Sequence, residues 1–270
     1  NPVSAVFLSM GLGKTAITLT ALNNLLFDSF ETHRVLVIAP LRVASMSWPD
    51  ELNKWGHLSE LRFSVAVGTE IERRAALNAK ADIYIINREN VQWLIEESGL
   101  PFDYDTVVID ELSSFKNGQS KRFKSLMKVR PKVKRIIGLT GTPASNGLMD
   151  LWAEFRLLDM GQRLGRFITH YRNEYFTPDK RGGMVVFSYK PLPEAERRIY
   201  DKISDITISM KSADFLKMPE LVSGEYTVRL SDEEGKKYDE LKKELVLALP
   251  DGEITSSFFS MYSLSPIAVP

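Results

Sequence analysis

Short runs of apolar, mostly β-branched residues recur through the first 160 residues, and amphipathic stretches separate them. Two of these runs, Val35–Ala39 and residues 107–109, contain no polar side chain. Strands of this composition must be covered on both faces, because neither face can be left in water. Their alternation with helical periodicity is typical of βαβ units. The chain is therefore predicted to adopt an α/β fold, with a parallel sheet and helices on both of its faces.

The predicted elements follow this alternation along the chain. Strands are expected at residues 3–8, 35–39, 62–67, 83–87, 106–109 and 135–139. Helices are expected at residues 14–26, 43–55, 70–78, 90–97, 119–129 and 148–158.

The alternation ends near residue 159, where shorter polar pieces marked by Gly and Pro begin. We predict a first domain over residues 1–160, a smaller irregular α+β extension over 161–253, and a disordered or truncated apolar tail over 254–270. The extension is expected to hold a helix at 194–204, a strand at 225–230 and a helix that opens with a capping box at 231–234. The tail carries no charged residue, so we interpret the chain as truncated or altered near Thr255.

The charge balance and the absence of cysteine exclude several classes of function. Lys plus Arg and Asp plus Glu each number 35, so contact with nucleic acid must come from a local basic patch. The lack of cysteine excludes a disulfide framework, a thiolate zinc site and a cysteine nucleophile. No apolar stretch approaches the roughly 18 residues that span a bilayer. A cytoplasmic protein without a membrane partner is expected.

A glycine-containing turn follows the first predicted strand and opens the first predicted helix. It consists of Gly11, Leu12, Gly13, Lys14 and Thr15. Glycines let the backbone turn its N–H groups toward phosphates, and a helix N-terminus adds a favourable field. In such a loop Lys14 would reach the β- and γ-phosphates, and the Thr15 hydroxyl would bind Mg²⁺. An ordinary helix start is the alternative, since Leu8 stands where the strict pattern has its first glycine.

Two further strand ends carry polar residues. Asp110 and Glu111 end one strand, and Thr140 and Thr142 follow the next. Because ligands lie beyond the carboxyl ends of parallel strands, Asp110 is a candidate to hold Mg²⁺ through water. Glu111 is a candidate to orient or deprotonate an attacking water, and the threonines could sense the γ-phosphate or contact Glu111. A solvated acid pair and a β-turn are the alternatives.

The order of these motifs resembles the first RecA-like lobe of superfamily 2 helicases, the SNF2 branch in particular. The resemblance rests on residues 10–15, 37–41, 108–113 and 139–143, together with Trp48, Trp55, Asn146, Leu151 and Trp152. Residues 105–176 are similar to the SNF2-like helicases encoded by phages and prophages. The resemblance covers most of the chain up to about residue 250.

The resemblance implies an ATP-dependent helicase or translocase ATPase that acts on DNA, expected to be duplex, with ATP and Mg²⁺ as cofactors. It implies that Lys14, Asp110 and Glu111 are catalytic and that Thr15 and Asp110 serve the metal. Thr140 and Thr142 would form the motif that couples ATP to DNA. The protein would belong to a bacterial host cell and be encoded by a phage.

The sequence also departs from the SNF2 pattern. Most SNF2 ATPases have acidic residues just before the phosphate loop, where this chain has Phe, Leu and Ser at positions 7–9. Ser113 replaces the His of the usual Asp-Glu-Ala-His motif, so the link normally made by that His is in question. The family's second RecA-like lobe and its upstream adenine-recognition segment are not found in the sequence. Arginines supplied across the cleft can contribute about 10³ to 10⁵ in rate, so weak or absent turnover is expected.

A concentrated basic segment covers residues 116–135, which include nine basic residues and no acidic residue. Lys116, Lys121, Arg122 and Lys124 are candidates to contact DNA phosphates. A solvated helix face is an equally good interpretation.

Two other patterns favour ordinary structural roles. Trp48, Glu51, Leu52 and Trp55 follow helical spacing, which favours a packed core face over a base-stacking platform. The three histidines show no metal-ligand spacing. For the whole chain, two alternative functions stay open: a nucleotide- or DNA-binding module without turnover, and an unrelated P-loop kinase or NTPase.

Overall fold

The computed structural model describes residues 1–182, 185–210, 231, 232, 234, 235, 238, 246–249 and 252–255. The chain forms two compact units, Asn1–Lys217 and Met218–Pro270.

The strands are short, and those of the first half match the predicted positions closely. They are β1 (Val3–Leu8), β2 (Val35–Ala39), β3 (Phe63–Ala66), β4 (Ile83–Asn87), β5 (Thr106–Asp110), β6 (Arg135–Thr140), β7 (Phe176–Pro178), β8 (Arg181–Gly182), β9 (Val185–Val186), β10 (Tyr189–Pro191), β11 (Thr207–Met210), β12 (Val246–Leu249) and β13 (Gly252–Thr255). Seven of them form one parallel sheet in the order β11-β1-β6-β5-β2-β4-β3. The short pairs β7–β10 and β8–β9 are antiparallel. The predicted α/β class with a parallel sheet is confirmed.

The helices surround this sheet. They are α1 (Lys14–Asn23), α2 (Trp48–Lys54), α3 (Glu70–Asn78), α4 (Lys121–Val129), α5 (Asp150–Asp159), α6 (Ile168–Tyr175) and α7 (Ala195–Ile203). Three of the predicted helices contain π-helical turns, at Asn24–Asp28, Val43–Ser47 and Trp93–Glu97. Periodicity in the sequence indicates a helix but does not distinguish these wider turns from regular α-helix.

Alternate residues of the same strands enter two separate hydrophobic cores, one on each face of the sheet. Leu36 and Ile38 of β2 join the core that contains residues of α4 and α5. Val35, Val37 and Ala39 join the core that contains residues of α1 and α2. Because side chains alternate across a strand, an apolar run without polar interruptions supplies both cores at once.

The sheet extends beyond the predicted first domain. Strand β11 pairs in parallel with β1, from Ala5 opposite Thr207 to Leu8 opposite Met210. The predicted division at residue 160 therefore falls inside the unit Asn1–Lys217. Sequence patterns missed β11 because it is a short edge strand with mostly exposed side chains, and the periodic burial signal is weak there.

The second unit, Met218–Pro270, contains the β12–β13 hairpin, in which Leu249 lies opposite Gly252. The predicted capping box is present: the Ser231 amide and hydroxyl donate to Glu234 Oε2, and the Glu234 amide donates to Ser231 Oγ. Ile254 and Thr255 belong to β13. The predicted strand at 225–230 and the remainder of the predicted tail, 256–270, lie outside the described residues. Among the helices that the structure describes, none has the length and apolar character to cross a bilayer.

Candidate nucleotide site

A turn that we call the glycine loop, residues 9–13, connects β1 to α1. Gly11 and Gly13 both adopt positive φ, 81° and 71°. A Cβ added at either position would meet no atom within 4 Å. The backbone conformation, and not a lack of space, therefore favours glycine at both positions.

Lys14 begins α1, and its side chain folds back over the end of β1. Its Nζ donates to the carbonyl oxygens of Leu8 at 2.7 Å and Ser9 at 3.2 Å. Beside this contact lies a cleft of about 250 Å³, lined by Met10, Gly11, Gly13, Lys14, Thr15, Ala16 and Glu51. All the polar groups of the predicted phosphate loop thus border one small cleft, and α2 contributes Glu51 to its wall.

Asp110 ends β5, and a tryptophan side chain holds its carboxylate. The Trp48 Nε1–H donates to Asp110 Oδ2 at 2.8 Å. Burial raises the pKa of Asp110, while hydrogen bonds from Trp48 and from the Glu111 amide oppose that shift. Trp48 and Leu52 are buried, as the predicted core face implied, whereas Trp55 of the same predicted face is exposed. The contact of Trp48 with Asp110 was not predicted, because no sequence pattern identifies the partner of an indole N–H.

Glu111 lies just past β5 with a positive φ of 60°, and two hydroxyl groups bind one of its oxygens. Ser113 Oγ donates to Glu111 Oε1, and Thr140 Oγ1 donates to the same oxygen at 3.1 Å. Thr140 Oγ1 in turn accepts from the Thr142 amide at 3.1 Å. Within the described part of the chain, no hydrogen bond reaches Glu111 Oε2. Glu111 is thus joined to Thr140, at the end of β6, by a direct hydrogen bond.

The turn after β6, residues 140–143, which we call the threonine turn, also lies against the glycine loop. Strand β6 pairs with β1, so that Phe7 is opposite Thr140. A Cβ added to Gly141 would approach the Leu8 carbonyl oxygen to 3.3 Å and Lys14 Nζ to 3.8 Å. Because β1, β6 and β5 are neighbours in the sheet, the three motifs lie together at its carboxyl edge.

Lys116 has a different position from the other predicted DNA contacts. Its Nζ donates to Ser145 Oγ at 2.9 Å and lies 3.7 Å from Asp150 Oδ2. The lysine therefore ties the turn after Glu111 to the loop before α5. Lys121 and Lys124 are exposed and Arg122 is half-buried, and none of the three forms an ion pair among the described residues.

Three other basic residues of the segment, Lys128, Arg130 and Arg135, have polar partners in the fold. Lys128 pairs with Glu96 at 2.6 Å, and Arg135 pairs with Glu31. Arg130 is only 4% exposed, and its guanidinium donates to backbone carbonyl oxygens of residues 133, 157 and 158. Although residues 116–135 contain no acidic residue, acids elsewhere in the chain therefore neutralise part of the segment's charge.

A buried carboxyl group, Glu154, was missed by the sequence analysis. It is fully buried on α5, and neither of its oxygens has a hydrogen-bond partner among the described residues. Burial raises the pKa of Glu154 well above its usual value. Asp150 and Glu111 raise it further, and Lys116 opposes them. This buried carboxyl group therefore lies close enough to Glu111 to interact with it electrostatically.

The parallel sheet, with polar residues from neighbouring strands at its carboxyl edge, has the architecture of a RecA-like ATPase lobe. The same fold occurs in the Sulfolobus solfataricus SWI2/SNF2 ATPase core, solved in complex with double-stranded DNA. The match has a TM-score of 0.62 and 25% sequence identity, and it covers 98% of this chain and 50% of that chain.

The chain belongs to the SNF2-related domain family, which matches residues 7–265. Protein p41 of Acyrthosiphon pisum secondary endosymbiont phage 1 is 37% identical over 257 residues, 93% of this chain and 56% of the phage protein. The mouse DNA excision repair protein ERCC-6-like is 27% identical over 93% of this chain and 19% of its own length. An uncharacterized ATP-dependent helicase of Mycoplasma genitalium is 26% identical over 87% of this chain and 21% of its own length. The SNF2 resemblance and the similarity to phage proteins are confirmed, and this chain spans little more than half of p41.

Proposed function

We propose that this chain binds and hydrolyses ATP with Mg²⁺ as the motor lobe of a DNA-acting SNF2-type ATPase. The observation that carries the proposal is the hydrogen bond from Thr140 to Glu111, residues 29 positions apart. It joins the Asp-Glu pair to the threonine turn and leaves Glu111 Oε2 available. A carboxylate oriented in this way suits a group that acts on water.

The glycine loop is the proposed site for the phosphates. Gly11 and Gly13 have the positive φ values that such a loop requires, and the backbone can present N–H groups at the start of α1. In the proposed bound state, the Lys14 ammonium exchanges the carbonyls of Leu8 and Ser9 for phosphate oxygens. That exchange replaces two neutral acceptors with charged ones, which bind an ammonium more strongly.

Thr15 and Asp110 are the proposed metal residues. Hydroxyl and carboxylate oxygens are the donors that Mg²⁺ prefers, so the residues present fit the metal. When bound, Mg²⁺ would neutralise charge on the phosphates and help to orient them. Asp110 would hold the hydrated ion through water. Glu111 would use Oε2 to orient or deprotonate the water that attacks the γ-phosphate, while Ser113 and Thr140 keep Oε1 in place.

Lys121, Arg122 and Lys124 are the proposed DNA-contacting residues. They lie on α4, which follows the Asp-Glu turn, and they carry no compensating acid among the described residues. The similarity to an ATPase core solved with double-stranded DNA supports duplex DNA as the partner. We no longer propose Lys116 as a DNA contact, because its charge is already engaged by Ser145 and Asp150.

A single-turnover assay tests the proposal on the chain as it stands. Protein in excess over radiolabelled ATP and Mg²⁺ should release phosphate slowly, and duplex DNA should accelerate the release. Glu111→Gln should bind ATP but release phosphate no faster than the buffer blank. Under single-turnover conditions even slow hydrolysis is measurable, which matters because this chain covers 50% of the solved ATPase core.

The same assay distinguishes the proposed ATPase from the remaining alternative, a nucleotide-binding module without turnover. A module that binds nucleotide without turnover would show ATP binding, with equal and negligible phosphate release in the parent and in Glu111→Gln. The unrelated P-loop kinase or NTPase considered from the sequence is excluded by membership in the SNF2-related domain family.

A further inference from the structure

Trp48 is joined to the proposed metal residue by its one polar atom. The residue begins α2, and its ring is fully buried in the core formed by α1, α2 and the sheet. A ring packed on all sides has one orientation, so its N–H has one direction. That direction leads to Asp110 Oδ2, 2.8 Å away and 62 residues along the chain.

Satisfaction of a buried indole N–H does not by itself require a carboxylate; the other indole that donates to one, Trp55, is exposed and bonds Glu51 of its own helical turn. A backbone carbonyl serves equally well for that purpose, as the Trp152 Nε1–H shows by donating to Gly165 O at 3.1 Å. The Trp48 contact instead reaches a strand-end carboxylate at the edge of the candidate site. Because a carboxylate has two oxygens and a carbonyl has one, the contact with Trp48 also determines which oxygen of Asp110 is hydrogen-bonded.

From this geometry we infer that Trp48 is a positioning residue for Mg²⁺ binding by Asp110. The indole fixes Oδ2 and thereby leaves Oδ1 as the oxygen directed to the hydrated metal. Outer-shell partners of this kind typically change metal affinity by about 10- to 100-fold when removed. The inference rests on the proposed function, because it assumes that Asp110 serves the metal.

Helix α2, which begins with Trp48, also borders the proposed phosphate site. The same helix places Glu51 at the wall of the cleft beside the glycine loop. The Trp48–Asp110 bond therefore connects the proposed metal residue to an element that borders the proposed phosphate site, through a rigid aromatic ring.

The test compares nucleotide affinity with and without metal in Trp48→Phe, which keeps an aromatic ring and removes the N–H. The probe is a fluorescent, non-hydrolysable ATP analogue, titrated once in EDTA and once in excess Mg²⁺. We expect the affinity in EDTA to match the parent, while the tightening produced by Mg²⁺ falls by about 10-fold or more. Trp152→Phe is the matched control, since the Trp152 indole N–H donates to Gly165 O and not to a residue of the proposed site, and it should keep the full tightening.

Each outcome has a distinct meaning. A parent that does not bind the analogue in either condition contradicts the proposed function itself. A parent that tightens with Mg²⁺, together with a Trp48→Phe variant that tightens equally, overturns only the role of Trp48. A variant that weakens equally in EDTA and in Mg²⁺ shows a packing role and also overturns the inference.

A measurement on the parent protein keeps the inference testable if Trp48→Phe does not fold. The indole N–H signals of the ¹⁵N-labelled protein can be assigned by substituting Trp55, Trp93 and Trp152 singly with Phe, which leaves Trp48 by elimination. The Trp48 signal should move when Mg²⁺ is added to the complex with the ATP analogue. A Trp48 signal that does not move on addition of metal, although the analogue binds more tightly, would refute the inference.

Discussion

The hydroxyl of Thr140 donates a hydrogen bond to Glu111 Oε1 at 3.1 Å, across the carboxyl ends of two adjacent strands. The Ser113 hydroxyl, two residues after Glu111 in the chain, donates to the same oxygen. One carboxylate oxygen is therefore held by two donors, while no hydrogen bond from the described residues reaches the other. This asymmetry suits a residue that must present one defined lone pair to a water molecule.

Removal of either hydroxyl should slow hydrolysis without preventing nucleotide binding. Hydrogen bonds to charged groups contribute about 1.5–3 kcal/mol, so Ser113→Ala and Thr140→Val should each lower the single-turnover rate by about 10- to 100-fold. Affinity for an ATP analogue should stay near that of the parent. Thr106→Val is the matched control, because it removes a buried hydroxyl pair with Thr32 at the opposite end of β5. Unchanged rates in Ser113→Ala and Thr140→Val would show that these donors do not orient the reacting group.

Lys14→Ala should abolish binding of a fluorescent ATP analogue. Among the described residues, the lysine ammonium donates only to the carbonyl oxygens of Leu8 and Ser9, and the residue is half-buried. The melting temperature of the ligand-free protein should therefore change little. Lys134→Ala, an exposed lysine before β6, should bind the analogue like the parent. Equal affinity in Lys14→Ala and the parent would remove the glycine loop as the phosphate site.

Replacing Lys121, Arg122 and Lys124 together with Ala should lower the salt dependence of duplex DNA binding. Each lost phosphate contact reduces the slope of log affinity against log salt concentration by about 0.9, because fewer counterions are released. Fluorescence anisotropy over a salt series measures that slope. Lys128→Ala should change it little, since the Lys128 charge is paired with Glu96. If the triple variant and the parent gave parallel lines, α4 would be a solvated face, as the alternative interpretation holds.

Glu154→Gln should alter how stability depends on pH. The pKa of Glu154 is raised in the folded protein, so folding favours its protonated form. Stability associated with this group is complete below the pKa of the unfolded chain and is lost as the pH rises toward the folded pKa. Glutamine stays neutral throughout, so the variant should gain stability over the parent as pH increases, by at most about 1.4 kcal/mol per pH unit.

Urea unfolding at pH 5 and pH 8 measures this change in the free energy of unfolding. The titratable groups that interact with Glu154 are unchanged in the variant; they are Asp150, Lys116, Glu111, Tyr171 and Tyr200. Glu97→Gln, which alters an exposed carboxylate, should not widen the difference between the two pH values. A constant difference between Glu154→Gln and the parent would mean that Glu154 does not bind an extra proton on folding.

The strands and their polar ends could be predicted from the sequence because both signals are local. Strand β2 needs cover on both faces whatever surrounds it, since all five of its residues are apolar. Once strands run parallel, their carboxyl ends share one edge. The meeting of Lys14, Glu111 and Thr140 follows from that rule together with the order of motifs.

The contacts that give these residues their chemical character depend on tertiary structure. Trp48 reaches Asp110 across 62 residues, and Arg130 is buried against the carbonyls of α5. Strand β11 forms at the edge of the sheet by pairing with the backbone of β1, which is distant from it in sequence. Composition and periodicity determine which segments are buried, because hydrophobic burial depends on each segment's own side chains. The partner of a buried N–H, ammonium or carboxyl depends on which segments become neighbours, and only the folded chain decides that.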